Sequence, residues 1–133
     1  MITLQSIYKT VYPNRYELLY ELLAERTPDQ SISHKAMPTW DEHVKFVTHN
    51  PYKEWNFIYD NNQVVGAVYV TEKNEIGLGI FKRYQGRGYA TRAVKIMKAR
   101  HGKLYANINP ANEASIKLFK KFGAQHIQNT YEF

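Results

Sequence analysis

The stretch that decides the fold reads IFKRYQGRGYAT and spans residues 80–91. Apolar residues at its start are typical of a strand, and a helical pattern follows from about Gly88. Glycine tolerates positive φ and lets a ligand approach the backbone, while a first helical turn leaves N–H groups unpaired. This predicts a pocket for a phosphate or pyrophosphate, with positive charge added by Arg83, Arg87 and Arg92. The alternative is a tight strand-to-helix turn with a solvated basic rim.

Strand and helix patterns follow one another along the rest of the chain. The predicted strands are 2–8, 55–59, 64–70, 75–81 and 104–108, and the predicted helices are 14–25, 40–49, 88–101 and 112–123. Thr39 and Glu42 have the spacing of a capping box at the start of the second helix. The last ten residues are expected to add one or two short strands. The order β-α-α-β-β-β-α-β-α-β predicts an α/β fold, a mixed sheet with helices on both faces.

The composition predicts a single domain over residues 1–133. With 44% hydrophobic and 23% charged residues, the chain has the balance of a soluble globular protein. It has no cysteine, which excludes disulfides, thiolate metal sites and a cysteine nucleophile. No signal-peptide pattern and no membrane-spanning run occur, so a cytoplasmic location without a membrane partner is expected. No H-x-x-x-H or H-E-x-x-H pattern occurs, so no metal is expected.

The net charge of +6 favours an anionic partner. One candidate function is a basic nucleic-acid-binding module, in which some of the eleven tyrosines would stack on bases. The tyrosines are scattered through helices and strands, however, and no helix-turn-helix or RNA-recognition signature occurs. These two observations weigh against the module, and charge alone does not choose among nucleic acid, an acidic surface and a phosphate-bearing cofactor.

Two motifs resemble those of the GNAT superfamily of acyl-CoA-dependent N-acetyltransferases. Residues 85–90, Gln-Gly-Arg-Gly-Tyr-Ala, resemble its Q/R-x-x-G-x-G/A signature, and residues 112–123 resemble its N-x-x-A/S-x-x-L-Y/F-x-K-x-G motif. The resemblance implies a GNAT-like sheet of about six or seven strands, mostly antiparallel. It covers about residues 55–124, the implied acetyl-CoA-binding core, and leaves residues 1–54 as acceptor-side elements.

The resemblance also implies a reaction, the transfer of an acetyl group from acetyl-CoA to a primary amine by direct attack. Backbone groups near Leu78 and Ile80 would pair with the pantetheine arm. Asn112 and Lys121 would contact the far side of coenzyme A, although Asn112 is also explained as a plain helix cap. The residues implied at the pyrophosphate are Gln85, Gly86, Arg87, Gly88, Tyr89, Ala90 and Thr91.

The groups that move protons are predicted with alternatives. Glu75 is the leading general base, since some family members place a carboxylate at the start of this strand; the alternative is an exposed strand end. His34, in the irregular stretch 26–38, is a second candidate for binding or deprotonating the amine. Phe119 stands where many family members carry a tyrosine that protonates the leaving sulfur. The proton would then come from Tyr131, Tyr105 or water, or the thiolate would leave unaided.

The acceptor itself stays open between a small-molecule amine, an amino sugar and a protein amine. Two further functions compete with acetyl transfer: an acyl-CoA-binding GNAT-like domain without catalysis, and the nucleic-acid-binding module. A final strand at 130–133 would pair with a second subunit and make a homodimer.

Overall fold

A five-stranded sheet forms the centre of the molecule, and the strands follow one another across it in chain order. The computed structural model describes residues 1–9, 14–30 and 36–133. Neighbouring strands are antiparallel except for the last pair, which is parallel. The strands are β1 (Ile2–Ser6), β2 (Glu54–Asp60), β3 (Gln63–Val70), β4 (Glu75–Ile80) and β5 (Tyr105–Ala106). The helices are α1 (Arg15–Ala24), α2 (Trp40–Thr48), α3 (Tyr89–His101) and α4 (Glu113–Lys120).

The order of elements confirms the predicted α/β fold as far as α4. The strand count does not: the described residues form five strands, where six or seven were expected. The strands predicted in the last ten residues do not form within this chain, since residues 124–133 carry no regular structure and are exposed. The physical reason is the lack of a partner, because β5 at the sheet edge spans two residues and offers almost no ladder to extend. The pairing of 130–133 with a second subunit stays a prediction.

The two central strands are covered on both faces, which explains their nearly continuous apolar sequence. One face packs against α1 and α2, with Leu19 and Val47 in its core, and the other packs against α3 and α4, with Met97 and Phe119 in its core. A bulge at Val65 in β3 shifts the register against β2. Helices therefore cover both faces of the sheet, as predicted.

Helix α2 begins at the position that its sequence predicts. The Thr39 hydroxyl accepts a hydrogen bond from the Glu42 N–H, and the Glu42 carboxylate accepts one from the Thr39 N–H. These two bonds satisfy N–H groups that a helix start otherwise leaves unpaired, so the predicted capping box is confirmed.

Helix α3 is fastened to β2 at both of its ends. At its start, the Tyr89 hydroxyl donates to the Asp60 carboxylate, and this hydrogen bond raises the pKa of the phenol. At its end, Arg100 and His101 donate to the Glu54 carboxylate. Burial of Glu54 disfavours its charge, but hydrogen bonds from Asn56, His101 and Arg100 outweigh burial and lower the pKa of its carboxyl. The residue that begins α3 is thereby held at a fixed place beside the sheet.

Candidate active site

A cavity opens where β4 and β5 part. The two strands pair only at Glu75–Tyr105 and Ile76–Ala106, after which β4 continues to Ile80 while the chain beyond Ala106 turns towards α4. The cavity has a volume of about 650 Å³ and is lined by residues from both faces of the sheet. It therefore connects the α1 and α2 side with the α3 and α4 side through the gap between the strands.

The backbone of β4 faces this gap with unpaired groups. The N–H of Phe81 donates to the carbonyl of Val65, on the β3 side of the strand. Because N–H and C=O groups alternate in direction along a strand, those of Leu78 and Ile80 point to the opposite edge, into the gap. The side-chain amide of Gln85 already donates to the Ile80 carbonyl at 3.0 Å. The Leu78 N–H and C=O and the Ile80 N–H remain to pair with an extended ligand.

The glycine loop stands on the α3 side of the cavity. Gly86 and Gly88 both have φ of +79°, a conformation that favours glycine, and Gly88 is the N-cap of α3. No side chain caps the helix, so the N–H groups of its first turn point outward with the positive end of the helix dipole. An added Cβ at Gly86 would meet no atom within 4 Å, which shows that the backbone is open to a ligand. This geometry suits a pyrophosphate.

Arginines hold and surround the loop. The Arg92 guanidinium donates to the carbonyls of Arg87 at 2.7 Å and Gly88 at 3.2 Å, which fixes the loop across the start of α3. Arg83 and Arg87 lie over the ring of Tyr84 at 5.1 and 5.7 Å. The loop is therefore bordered by positive charge. Of the residues predicted here, Gln85, Gly86, Gly88, Tyr89, Ala90 and Thr91 line the cavity, whereas the Arg87 side chain does not.

Helix α4 closes the far side of the same half. Asn112 lines the cavity, and its side-chain oxygen accepts a hydrogen bond from the Ser115 N–H, so it is also the helix cap. Lys117 and Lys121 line the cavity as well, and Phe119 is buried against it. A phenylalanine cannot donate a proton, and neither Tyr105 nor Tyr131 lines the cavity.

The other half of the cavity is apolar and aromatic. Tyr52 and Tyr69 stack with ring centroids 3.9 Å apart and planes 11° from parallel. Tyr69 lies across Gly77, where an added Cβ would come within 2.2 Å of its ring. Burial, followed by the neighbouring Tyr69, raises the pKa of the Tyr52 phenol. The other apolar and aromatic lining residues of this half are Leu19, Leu22, Leu23, Phe46 and Trp55.

Sequence reasoning missed the stacked pair. Tyr52 precedes β2 and Tyr69 lies in β3, and the β2–β3 register brings them together by pairing Glu54 with Val70. Only the predicted hairpin could have indicated this proximity, and it carries no sign that the rings face a cavity.

Of the two residues predicted to transfer protons, Glu75 and His34, the structure describes only Glu75. The Glu75 carboxylate accepts hydrogen bonds from Thr71 at 3.3 Å and Asn107 at 2.8 Å. Glu75 is absent from the cavity wall, whereas Asn107 lines it. His34 lies outside the described residues. The buried His43 lines the cavity, and its Nε2 lies 2.8 Å from the Tyr16 carbonyl. Since a carbonyl only accepts a hydrogen bond, Nε2 is the donor in this contact.

In the part of the chain that the structure describes, no three His, Asp or Glu side chains lie together as a metal site would require. Within the same residues, no helix has the length and apolar character needed to cross a membrane.

Comparison with known proteins places this geometry in a family. The Acetyltransferase (GNAT) family model matches residues 16–124. An N-acetyltransferase from Staphylococcus aureus Mu50 has a similar structure, with a TM-score of 0.69 and 20% identity over 96% of this chain and 86% of its own. A domain from Methanocaldococcus jannaschii DSM 2661 has a TM-score of 0.73 and 26% identity, covering 99% of this chain and 93% of its own.

A spermidine N-acetyltransferase from Vibrio cholerae, solved with CoA and spermine, has a TM-score of 0.71 and 17% identity, covering 92% of this chain and 79% of its own. No curated protein matches the sequence. The family match extends over most of the chain and includes both motifs, so the resemblance is confirmed: the chain belongs to the GNAT family of acetyltransferases, enzymes that use acetyl-CoA as cosubstrate.

Proposed function

We propose that this protein binds acetyl-CoA along β4 and the glycine loop and transfers its acetyl group to a primary amine that enters from the α1 and α2 side. The observation that carries the proposal is the continuous cavity, which joins the loop to the aromatic half through the gap between β4 and β5. A thioester placed in this gap would be reached from both sides, by the cofactor from one and by the amine from the other.

The cofactor half supplies binding groups of the kinds that coenzyme A needs. Gly86, Gly88 and the first turn of α3 offer backbone N–H groups to the pyrophosphate. Leu78 and Ile80 offer main-chain groups to the amides of the pantetheine arm, as an added strand would use them. Lys121 and Asn112 lie at the α4 end of the cavity, where they would contact the remainder of the cofactor.

The reaction is attack by a neutral amine on the thioester carbon. The C–S bond breaks as the C–N bond forms, the amine loses a proton, and coenzyme A leaves as a thiolate that takes one up. An N–H of β4 that points into the gap, such as that of Ile80, would stabilise the oxyanion. We propose Glu75 as the general base. Its carboxylate lies behind the cavity wall, where it accepts a hydrogen bond from Asn107, a residue that lines the cavity. His43 is the second candidate, because it lines the cavity itself.

Calorimetric titration with acetyl-CoA, followed by an assay of thiol release with added amines, tests the proposal. We expect micromolar binding and amine-dependent release of coenzyme A. Binding without release on any amine would support a domain that holds acyl-CoA without catalysis. Absence of binding to the folded protein would overturn the proposal.

A further inference from the structure

The aromatic half of the cavity restricts which amine can enter. We propose that the acceptor is a small primary amine on an aromatic or other apolar carbon body, and that polyamines and amino sugars are poor acceptors. This inference rests on the proposed acetyl transfer at the same site and names its substrate class.

The wall of this half supplies apolar contact. Leu19 and Trp55 are buried with 4% and 7% of their surface exposed, and Leu22 packs over Gly79, whose added Cβ would lie 3.4 Å from its side chain. Phe46 extends the surface through edge contacts with Tyr52 and Trp55, at 5.6 and 6.1 Å between ring centroids. A carbon body seated here loses its contact with water, which stabilises the complex in proportion to the apolar area covered.

Carboxylates are scarce along the same wall. Glu25 is the one carboxylate among the described residues that line the cavity, and it already accepts a hydrogen bond from the Lys82 N–H at 2.7 Å. Arg26 follows it on the wall and carries the opposite charge. A polyamine brings several ammonium groups, and with a single carboxylate among the described lining residues most of them would lose hydration here without gaining an anionic partner.

Several of the polar groups on this wall are already engaged. His43 commits its Nε2 to the Tyr16 carbonyl, and the Gln30 side-chain oxygen accepts a hydrogen bond from a backbone N–H. The rings of Tyr20 and Trp40 stand beside the imidazole, with centroids 4.9 and 5.7 Å from its own. An amino sugar would bury several hydroxyl groups against leucines and aromatic rings. Unpaired hydroxyls at such a surface weaken binding.

The stacked tyrosines form a fixed apolar floor beside the gap. Tyr69 pairs with Gly77 across the sheet and lies on it, so its ring contacts the backbone of the strand that borders the gap. Its other face is covered by Tyr52, so neither face of the ring is free to hold an ammonium group. The apolar body of the acceptor would rest against this pair and the leucines of α1, with its amine directed to the gap beside β4.

Steady-state thiol release with 2-phenylethylamine, ethanolamine, spermidine and glucosamine tests the inference. We expect kcat/KM for 2-phenylethylamine to exceed that for each of the others by at least about tenfold, the gain from burying one aromatic ring. Equal or faster turnover of spermidine or glucosamine would overturn it, as would a preference for a peptide N-terminus added to the same panel.

A pair of variants on α2 ties the preference to this wall. Phe46→Glu places a carboxylate on the lining at a residue that is 46% exposed, and Lys45→Glu places one on the exposed neighbour outside it. We expect Phe46→Glu to lower the ratio of 2-phenylethylamine to spermidine turnover about tenfold and Lys45→Glu to leave it within about twofold. The same change in both variants would overturn the inference.

The failure of this inference is distinct from failure of acetyl transfer. If acetyl-CoA does not bind, the proposed function fails and the inference fails with it. If acetyl-CoA binds and spermidine is the better acceptor, only the inference fails. If acetyl-CoA binds and no amine reacts, titration of the coenzyme A-loaded protein with 2-phenylethylamine decides, since binding supports the inference and its absence overturns it.

Discussion

The two halves of the cavity are built in opposite ways. The cofactor half is made of backbone groups and a glycine loop contributed largely by one continuous stretch, 85–91, together with Lys117 and Lys121. The acceptor half is made of leucines and aromatic rings from α1, α2, β2 and β3 together with Tyr52, which lies before β2. The first half depends on backbone conformation, and the second depends on tertiary packing. Single substitutions should therefore affect the two halves through different measurable quantities.

The largest expected effect is on the cofactor half, at Gly88. Replacement by valine puts a branched side chain at φ of +79° and into the proposed path of the pyrophosphate, so we expect the Kd of coenzyme A to rise at least about 1,000-fold. Gly123→Val is the matched control, because Gly123 has the same φ and does not line the cavity. Calorimetry on both folded variants makes the comparison, and equal affinities would remove the loop from the site.

The second prediction concerns Glu75, the proposed general base, and is tested with the variant Glu75→Gln. If Glu75 is the base, kcat falls about 100-fold and loses its dependence on pH at the acidic side, while the Kd of coenzyme A stays unchanged. The pH–rate profile is the measurement, with Glu72→Gln, an exposed turn residue, as the control. A normal profile in Glu75→Gln would transfer the role to His43 or to water.

Alanine at the two glycines of β4 probes the acceptor half. In Gly77→Ala the new Cβ would lie 2.2 Å from the Tyr69 ring, so the stacked pair must move, and we expect a loss of about 1–3 kcal/mol in the free energy of unfolding. In Gly79→Ala it would lie 3.4 Å from Leu22, an ordinary contact, and the loss should stay below about 1 kcal/mol. Urea denaturation of the two variants measures both losses. Equal losses would mean that the Tyr69 ring does not depend on the absence of a side chain at Gly77.

The smallest effect is expected at Glu54, which holds the end of α3 to β2. Its pKa is lowered in the folded chain, so its carboxylate stabilises the fold above the ordinary value of 4.5, and this contribution is lost as the pH falls further. Glu54→Gln should therefore cost about 1 kcal/mol at pH 7 and progressively less below about pH 4. Thermal denaturation across pH measures this, with Glu72→Gln as control; a constant difference would contradict the assignment.

The same contrast explains what could be read from the sequence. Gly86 and Gly88 lie in a short stretch whose residue types already indicate a turn and a helix start, so the loop was predictable from its local sequence. Thr39 and Glu42 were predictable for the same reason. The stacked tyrosines were not predictable, because their contact depends on the register of β2 and β3. Nothing in the sequence of either segment indicates that the two rings stack.

The absence of a strand at 130–133 has a related cause. A strand needs the edge of a partner strand as well as suitable residues of its own, so the residues of a terminal segment do not by themselves predict that it pairs. The exposure of Ile127, Tyr131 and Phe133 fits a segment whose partner is not among the described residues.

The fastening of α3 to β2 has a consequence for the tolerated length of the helix. Tyr89 and Arg100 must meet Asp60 and Glu54, which are six positions apart on one face of a strand. One residue inserted between them would rotate the far end of α3 by about 100° and advance it about 1.5 Å, which turns Arg100 and His101 away from Glu54. The strand therefore acts as a template that sets how many residues separate the two ends of the helix, and substitutions on the outer face of α3 should be tolerated far better than insertions or deletions.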